Sequence, residues 1–308
     1  MRRSIIRYII IISLFTAGGN IYAQCGCIGG AAVGGLTPVG GAANIGILKE
    51  GNLRAVSFLS YSYGDKTFRG DDQIENRTVK RFNSSYSSLL VGYGLTSDFT
   101  LDVELGYYFN KTQKFSTYSL SGSGFSHTTV YGKYNAISMR AKEFEWTIGA
   151  GVRIPLDVND LNLPQHVQPS SKAYGFAAVS YLHKGYRQQG IHFIIINRAE
   201  YNAENSMKYR LGPGFINSIF VTKSILERLT ALLEVRSDIK LKDSYYGKTY
   251  NDSGWNNVIL SPQLNYSFND FNVSVLCDLP VYKYYNGAQL TNSYNVGASL
   301  TWQANLAD

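Results

Sequence analysis

The stretch FNVSVLCDLPVY, residues 271–282, sets Phe271, Val273, Val275, Cys277, Leu279 and Val281 on one side of an extended chain and Asn272, Ser274 and Asp278 on the other. Successive side chains of a strand point to opposite faces, so one face here is apolar and the other polar. The same period of two returns in FTLDVELGYYF (99–109), FEWTIGAGVRI (144–154), LTALLEVRSDIK (229–240), VILSPQLNYSF (258–268) and YNVGASLTW (294–302). Helical spacing would scatter the charges of these segments around a cylinder; strand spacing collects them on one face.

A soluble sandwich would turn the apolar face to a core and the charged face to water. Three features favour a membrane instead. The segments run to about 10–13 residues, longer than the usual soluble strand and close to the 9–11 that a tilted strand needs to cross a bilayer. Aromatic residues gather near segment ends, at 107–109, 266–271, 282–285, 294 and 302, as in the two interfacial girdles of a barrel. Short links at 96–98, 139–143, 222–228 and 268–270 alternate with long polar ones near 65–83, 111–126, 156–171, 241–255 and 283–292, the asymmetry of periplasmic turns and external loops. About twelve strands result, with 53–63, 175–183 and 191–201 assigned on weaker patterns because both of their faces are mixed. Unpaired backbone at an open edge would cost several kcal/mol per group in hydrocarbon, so the sheet must close. The expected fold is an all-β, closed antiparallel transmembrane barrel.

The N-terminus reads as an export signal. Arg2, Arg3 and Arg7 precede or open an apolar run that ends near Phe15, and Ala23 stands where a signal peptidase cuts. The run is too short for a spanning helix, and the bulky Gln24 before Cys25 argues against lipoprotein processing. The expected organisation is a cleaved signal peptide over 1–23, a Gly/Ala-rich periplasmic or lumenal segment over 24–51 and an outer-membrane barrel over 52–308. Without the leader the formal charge falls by its three arginines from +7 to +4, and no Lys/Arg block with interleaved aromatics remains. Nucleic acid is therefore not an expected partner.

Three cysteines, Cys25, Cys27 and Cys277, cannot form a disulfide scaffold, and two thiolates with no histidine nearby make no closed metal site. No metal or cofactor is expected. CGCIGGAAVGGLTPVGGAANIGIL (25–48) lacks the Gly-Lys-Ser/Thr ending of a phosphate loop. It reads either as a flexible lead or as a small-residue constriction inside the lumen, with Gly29, Gly30, Gly34 and Gly35 allowing close backbone approach and Cys25 and Cys27 pinning the tucked end.

VGYGLTSDFTLDVELGYY, SPQLNYSFNDFNVSVLCDLPVYKYYNGAQL and the closing NVGASLTW resemble the outer-membrane barrel family of the MetA pathway of phenol degradation, whose members are described as transporters. CGCIGGAAVGGLTP resembles exported proteins of that kind from the Bacteroidetes. The resemblance implies transport of small molecules, aromatic or hydrophobic ones among them. NVGASLTW is also similar to the C-terminal strand signal read by barrel-assembly machinery, although here the chain continues through QANLAD.

About twelve strands enclose more room than an eight-stranded barrel and less than a large porin. The inward, channel-lining candidates are Asp102, Glu104, Glu145, Arg153, Glu234, Arg236, Asp238, Lys240 and Asp278. Their mixed signs suit a ladder of paired charges as readily as a selectivity filter. Enzymatic readings would place His127 beside Ser126 and Thr128, or His166 near Ser170 and Ser171, but no nucleophile motif appears and no enzyme is expected. An adhesive or purely structural barrel is the other alternative. Expected partners are a small permeant, the assembly machinery, and outer-membrane lipid and lipopolysaccharide, the last through Arg69, Arg77, Lys80 and Arg81 in loop 65–83. The acids of that loop, Asp71, Asp72 and Glu75, suit divalent cations equally.

Overall fold

A computed structural model describes residues 46–75, 79–156, 163–165 and 167–306. Twelve long strands follow one another: β1 Asn52–Gly64, β2 Val79–Gly94, β3 Phe99–Phe115, β4 Ser119–Met139, β5 Phe144–Pro155, β6 Gly175–Tyr186, β7 Ile191–Asn202, β8 Gly214–Leu226, β9 Leu229–Lys240, β10 Trp255–Phe268, β11 Phe271–Thr291 and β12 Tyr294–Asn305. Each pairs antiparallel with its neighbour in sequence. The sheet then closes on itself, β1 running against β12 from Asn52 opposite Asn305 to Tyr63 opposite Tyr294. Closure removes the exposed edges that hydrocarbon would not tolerate.

The burial pattern gives each face its solvent. In β11, Ser274 and Asp278 are buried while Val273, Val275, Leu279 and Val281 are exposed. That inversion, polar inside and apolar outside, is the mark of a barrel in lipid. Tyr93, Tyr134, Trp146, Tyr186, Phe193 and Tyr266 form an exposed belt near one end, and Phe109, Phe176, Tyr201, Phe215, Tyr282 and Tyr294 form another near the opposite end. Turns at 95–98, 140–143, 187–190, 227–228 and 269–270 join strands at the first end, where both described chain ends also lie, so that end is periplasmic.

Several expected external loops are strands. Segment 111–126 is the upper part of a β3–β4 hairpin that turns only at 116–118, and β11 continues to Thr291. Polar side chains there read as loop, yet above the bilayer the ladder persists, with Lys111, Gln113, Gln289 and Thr291 buried on its inner face. The expected link 222–228 shrinks to residues 227 and 228, and residues 203–213 form a further external connection between β7 and β8. Short strands Lys66–Gly70 and Asp72–Ile74 extend the sheet beside β11, and Tyr209–Arg210, Ser244–Tyr245 and Lys248–Thr249 form a separate three-stranded sheet. All five lie in the outer connections.

Candidate functional site

The barrel interior is stratified. At the periplasmic end the chain before β1 turns inward: Ile47 and Leu48 are buried, and the Leu48 N–H donates to Thr100 Oγ1 at 2.7 Å. Ile47 donates its N–H to the Glu145 carboxylate, which also accepts from Thr147 Oγ1 at 3.1 Å. Gly46 lies so close to Thr147 that a Cβ there would collide with its hydroxyl. Beside this segment Asp102 pairs with Lys133 Nζ at 2.6 Å and Arg54 at 3.8 Å.

Two blocks fill the middle. On β4, β6, β7 and β8, Tyr131, Val179, Tyr181, Ile194, Ile196 and Phe220 pack as an apolar cluster inside the lumen. On the opposite wall Arg236 bonds Asp278 Oδ2 at 2.5 Å and Glu234 at 3.4 Å; Ser218 and Gln263 donate to Glu234, and Asn295 donates to Asp278. A buried cation between two carboxylates depends on such surrounding hydrogen bonds, although Asp278 Oδ1 is buried without a partner among the described residues.

Above them lies a cavity of about 160 Å³. Its floor carries Arg153 and Arg198, which grip Glu200 at 2.8 and 2.5 Å, with Glu104 beside them. Tyr86, Tyr108 and Trp255 give it aromatic walls; the Lys111 ammonium stands 5.4 Å from the Tyr108 ring centroid and Lys240 4.9 Å from Trp255. Gly106 has no side chain because the Tyr86 ring lies against it, 3.1 Å from where a Cβ would stand. The roof comes from Gln165, Gln168, Ser170 and Ser171 of one external connection and Leu211 and Gly212 of another. Asp243 fixes that roof: it accepts from Gly212 N at 2.7 Å, pairs with Lys240 at 2.8 Å and accepts from the Tyr209 hydroxyl. Burial first, and Asp243 second, push the Tyr209 phenol well above its ordinary 10.0.

All nine inward candidates have their side chains inside the barrel, but in three separate strata. Glu104, Arg153, Asp238 and Lys240 border the cavity; Glu234, Arg236 and Asp278 brace a wall; Asp102 and Glu145 sit at the periplasmic end. The other six candidates, Cys25, Cys27, Gly29, Gly30, Gly34 and Gly35, lie outside the described residues, as do His166 and Arg77. Cys277 is a free thiol.

Sequence reasoning missed Lys133, Arg198, Glu200 and Asn202. The last three are alternate residues of β7, whose inward face begins with Ile194 and Ile196, so the rule of polar inside and apolar outside failed there. Ser126 and His127 do meet, Oγ to Nδ1 at 2.7 Å, at a register shift of β3 against β4. Glu200 is engaged by two arginines and forms no hydrogen bond to His127, so the Ser126–His127 pair is not extended to that carboxylate. Nor do the described residues contain a group of three or more His, Cys, Asp or Glu placed to hold a metal.

The sequence matches, over residues 83–295, the family described as "Putative MetA-pathway of phenol degradation". The chain belongs to this family. No curated protein matches it in sequence. Among solved structures, the COG4313 outer membrane channel from Pseudomonas putida F1 superposes with a TM-score of 0.70 at 10% identity, over 83% of this chain and 97% of that one. The KdgM porin follows with a TM-score of 0.46 at 8% identity, over 80% and 98% of the two chains. At these identities the likeness to the COG4313 channel concerns the fold, and it places this member of the phenol-degradation family among outer-membrane barrels.

Proposed function

We propose that the protein is an outer-membrane channel through which small molecules, aromatic or hydrophobic ones among them, pass without chemical change. The observation that carries this reading is the cavity of about 160 Å³ inside a closed barrel, with Tyr86, Tyr108 and Trp255 on its walls and ion pairs on its floor. A ring-shaped permeant gains stacking area from such walls, and the paired charges leave no single-sign barrier. Family membership favours the same permeant class.

The segment before β1 is the constriction in this account. Residues 46–48 enter the lumen, and the Gly/Ala-rich sequence that precedes them, with Gly29, Gly30, Gly34 and Gly35 and with Cys25 and Cys27 near its start, suits a narrowing of the same passage because small residues allow close backbone approach. Residues 1–23 act as the cleaved export signal, and β12 carries the signal for assembly into the membrane.

Flux into proteoliposomes tests the permeant class. The purified mature protein should admit phenol or benzoate faster than a sugar of equal mass, and substituting Trp255 by Ala should change the aromatic rate most. Equal rates for both classes would contradict the aromatic preference.

A further inference from the structure

On the outer face of the barrel, just above the external aromatic girdle, three exposed basic residues stand at adjacent positions of two paired strands. Arg81 of β2 and Lys114 of β3 are Cα partners in the antiparallel ladder, and both are exposed. The register shifts between Val79 and Arg81, so Lys80 is the extra residue of a β-bulge. Below it β2 alternates strictly between buried and outward residues; at the bulge Lys80 and Arg81 are exposed in succession. A bulge re-aims side chains in this way, and here it turns a second cation towards the surface that already carries the Arg81–Lys114 pair.

Like charges directly opposite in a ladder destabilise it. Among the described residues no carboxylate pairs with Lys80, Arg81 or Lys114; the ion pairs of the barrel lie elsewhere. The neighbouring outward positions are neutral donors: Asn83 opposite Thr112, whose hydroxyl lies 2.7 Å from that of Ser121. The hairpin carrying Lys114 is fixed by the Phe115–Tyr118 stack at 4.5 Å and by the Phe115 N–H donating to the Tyr118 carbonyl. Beneath, on the same face, Tyr107 packs edge-on with Phe109 and Phe125 at 5.3 and 5.1 Å, marking the upper limit of hydrocarbon. The rise and tilt of the strands put the cations about 10 Å above that level, within reach of the headgroup layer for side chains of this length.

We propose that Lys80, Arg81 and Lys114 form a binding site for the phosphorylated headgroup of an outer-leaflet glycolipid. A phosphate bridging Arg81 and Lys114 converts their repulsion into two charge-assisted hydrogen bonds, and the hydroxyls of Thr112 and Ser121 suit the sugar below it. Arg69, which the sequence grouped with these residues, stands on the short strand Lys66–Gly70 and acts on Asp252 instead. Lys114, distant in sequence from loop 65–83, takes its place.

The test uses the mature protein folded into vesicles of phosphatidylcholine alone, with lipid A, or with dephosphorylated lipid A, and reads the temperature at which the heat-modifiable gel band is lost. Lipid A should raise that temperature by several degrees over its dephosphorylated form. The K80Q/R81Q/K114Q variant should lose most of the increment, while in phosphatidylcholine it should be at least as stable as the parent because the repulsion is gone. An equal increment in the variant, or no increment in the parent, would overturn the proposal. Inorganic phosphate reproducing the full increment in phosphatidylcholine would replace the headgroup by a free anion and overturn it too.

Discussion

The backbone N–H of Leu48 donates to the hydroxyl of Thr100 inside the barrel, 52 residues away in sequence, and both residues are fully buried. A connecting segment that merely led into the first strand would leave Leu48 at the rim. Its position instead ties the end of the Gly/Ala-rich segment to the lumenal wall, where it closes the space beside Asp102, Glu145 and Thr147.

Substituting Thr100 by Val keeps the shape and removes the acceptor, leaving the Leu48 N–H buried and unpaired. A cost of about 1–3 kcal/mol is expected, measurable by urea unfolding in micelles. Protease cleavage before residue 48 should become faster in the same variant.

Arg236 should be the most costly of the inward charges to remove. Its substitution by Met leaves Glu234 and Asp278 buried without their cation, which should cost about 3–5 kcal/mol. The E234Q/R236M/D278N variant should recover much of that loss, because the neutral groups can still bond Ser218, Gln263 and Asn295. A single substitution as mild as the triple one would contradict this view of the wall.

Two substitutions should move the cavity in opposite directions. Trp255→Ala opens it beside Lys240, and Gly106→Val pushes the Tyr86 ring into it. Conductance should rise in the first variant and fall in the second, with heat-modifiable mobility confirming a folded barrel in both.

The roof should loosen in alkali. The Tyr209 phenol is raised above its ordinary 10.0 by burial and by Asp243. Its hydrogen bond therefore contributes fully below that value and is lost as pH rises towards the folded one, since the unfolded chain ionises first. Limited proteolysis of the connection 203–213 should accelerate above about pH 10 in the parent. The Tyr209→Phe variant should be cut faster than the parent at neutral pH and show a flatter response to alkali.

The barrel was legible wherever polarity and the period of two agreed. Within the bilayer, β3, β5, β9, β10 and β11 carry mostly charges or amides inward and aliphatic residues outward, so those parts are clear, whereas the polar upper ends of β3 and β11 read as loops. β7 does not, because its lumenal face holds Ile194 and Ile196 of an internal apolar cluster followed by Arg198 and Glu200. A rule based on lipid outside and water inside fails where the lumen is packed like a core. The inward set on β3 and β9 could be read, but its division into a cavity, a braced wall and a periplasmic layer depends on which strands face each other across the barrel. No local pattern encodes that. Lys133 was hidden for a related reason: only the approach of β3 and β4 gives it Asp102 as a partner.

Single-channel conductance in planar bilayers, comparing the mature chain with one lacking residues 24–45, decides whether the barrel conducts and whether its N-terminal segment narrows it. A channel narrowed by its own N-terminal segment should give discrete steps in the intact protein and larger steps after truncation. Silence from both forms, with folded barrels confirmed by gel mobility, would contradict it.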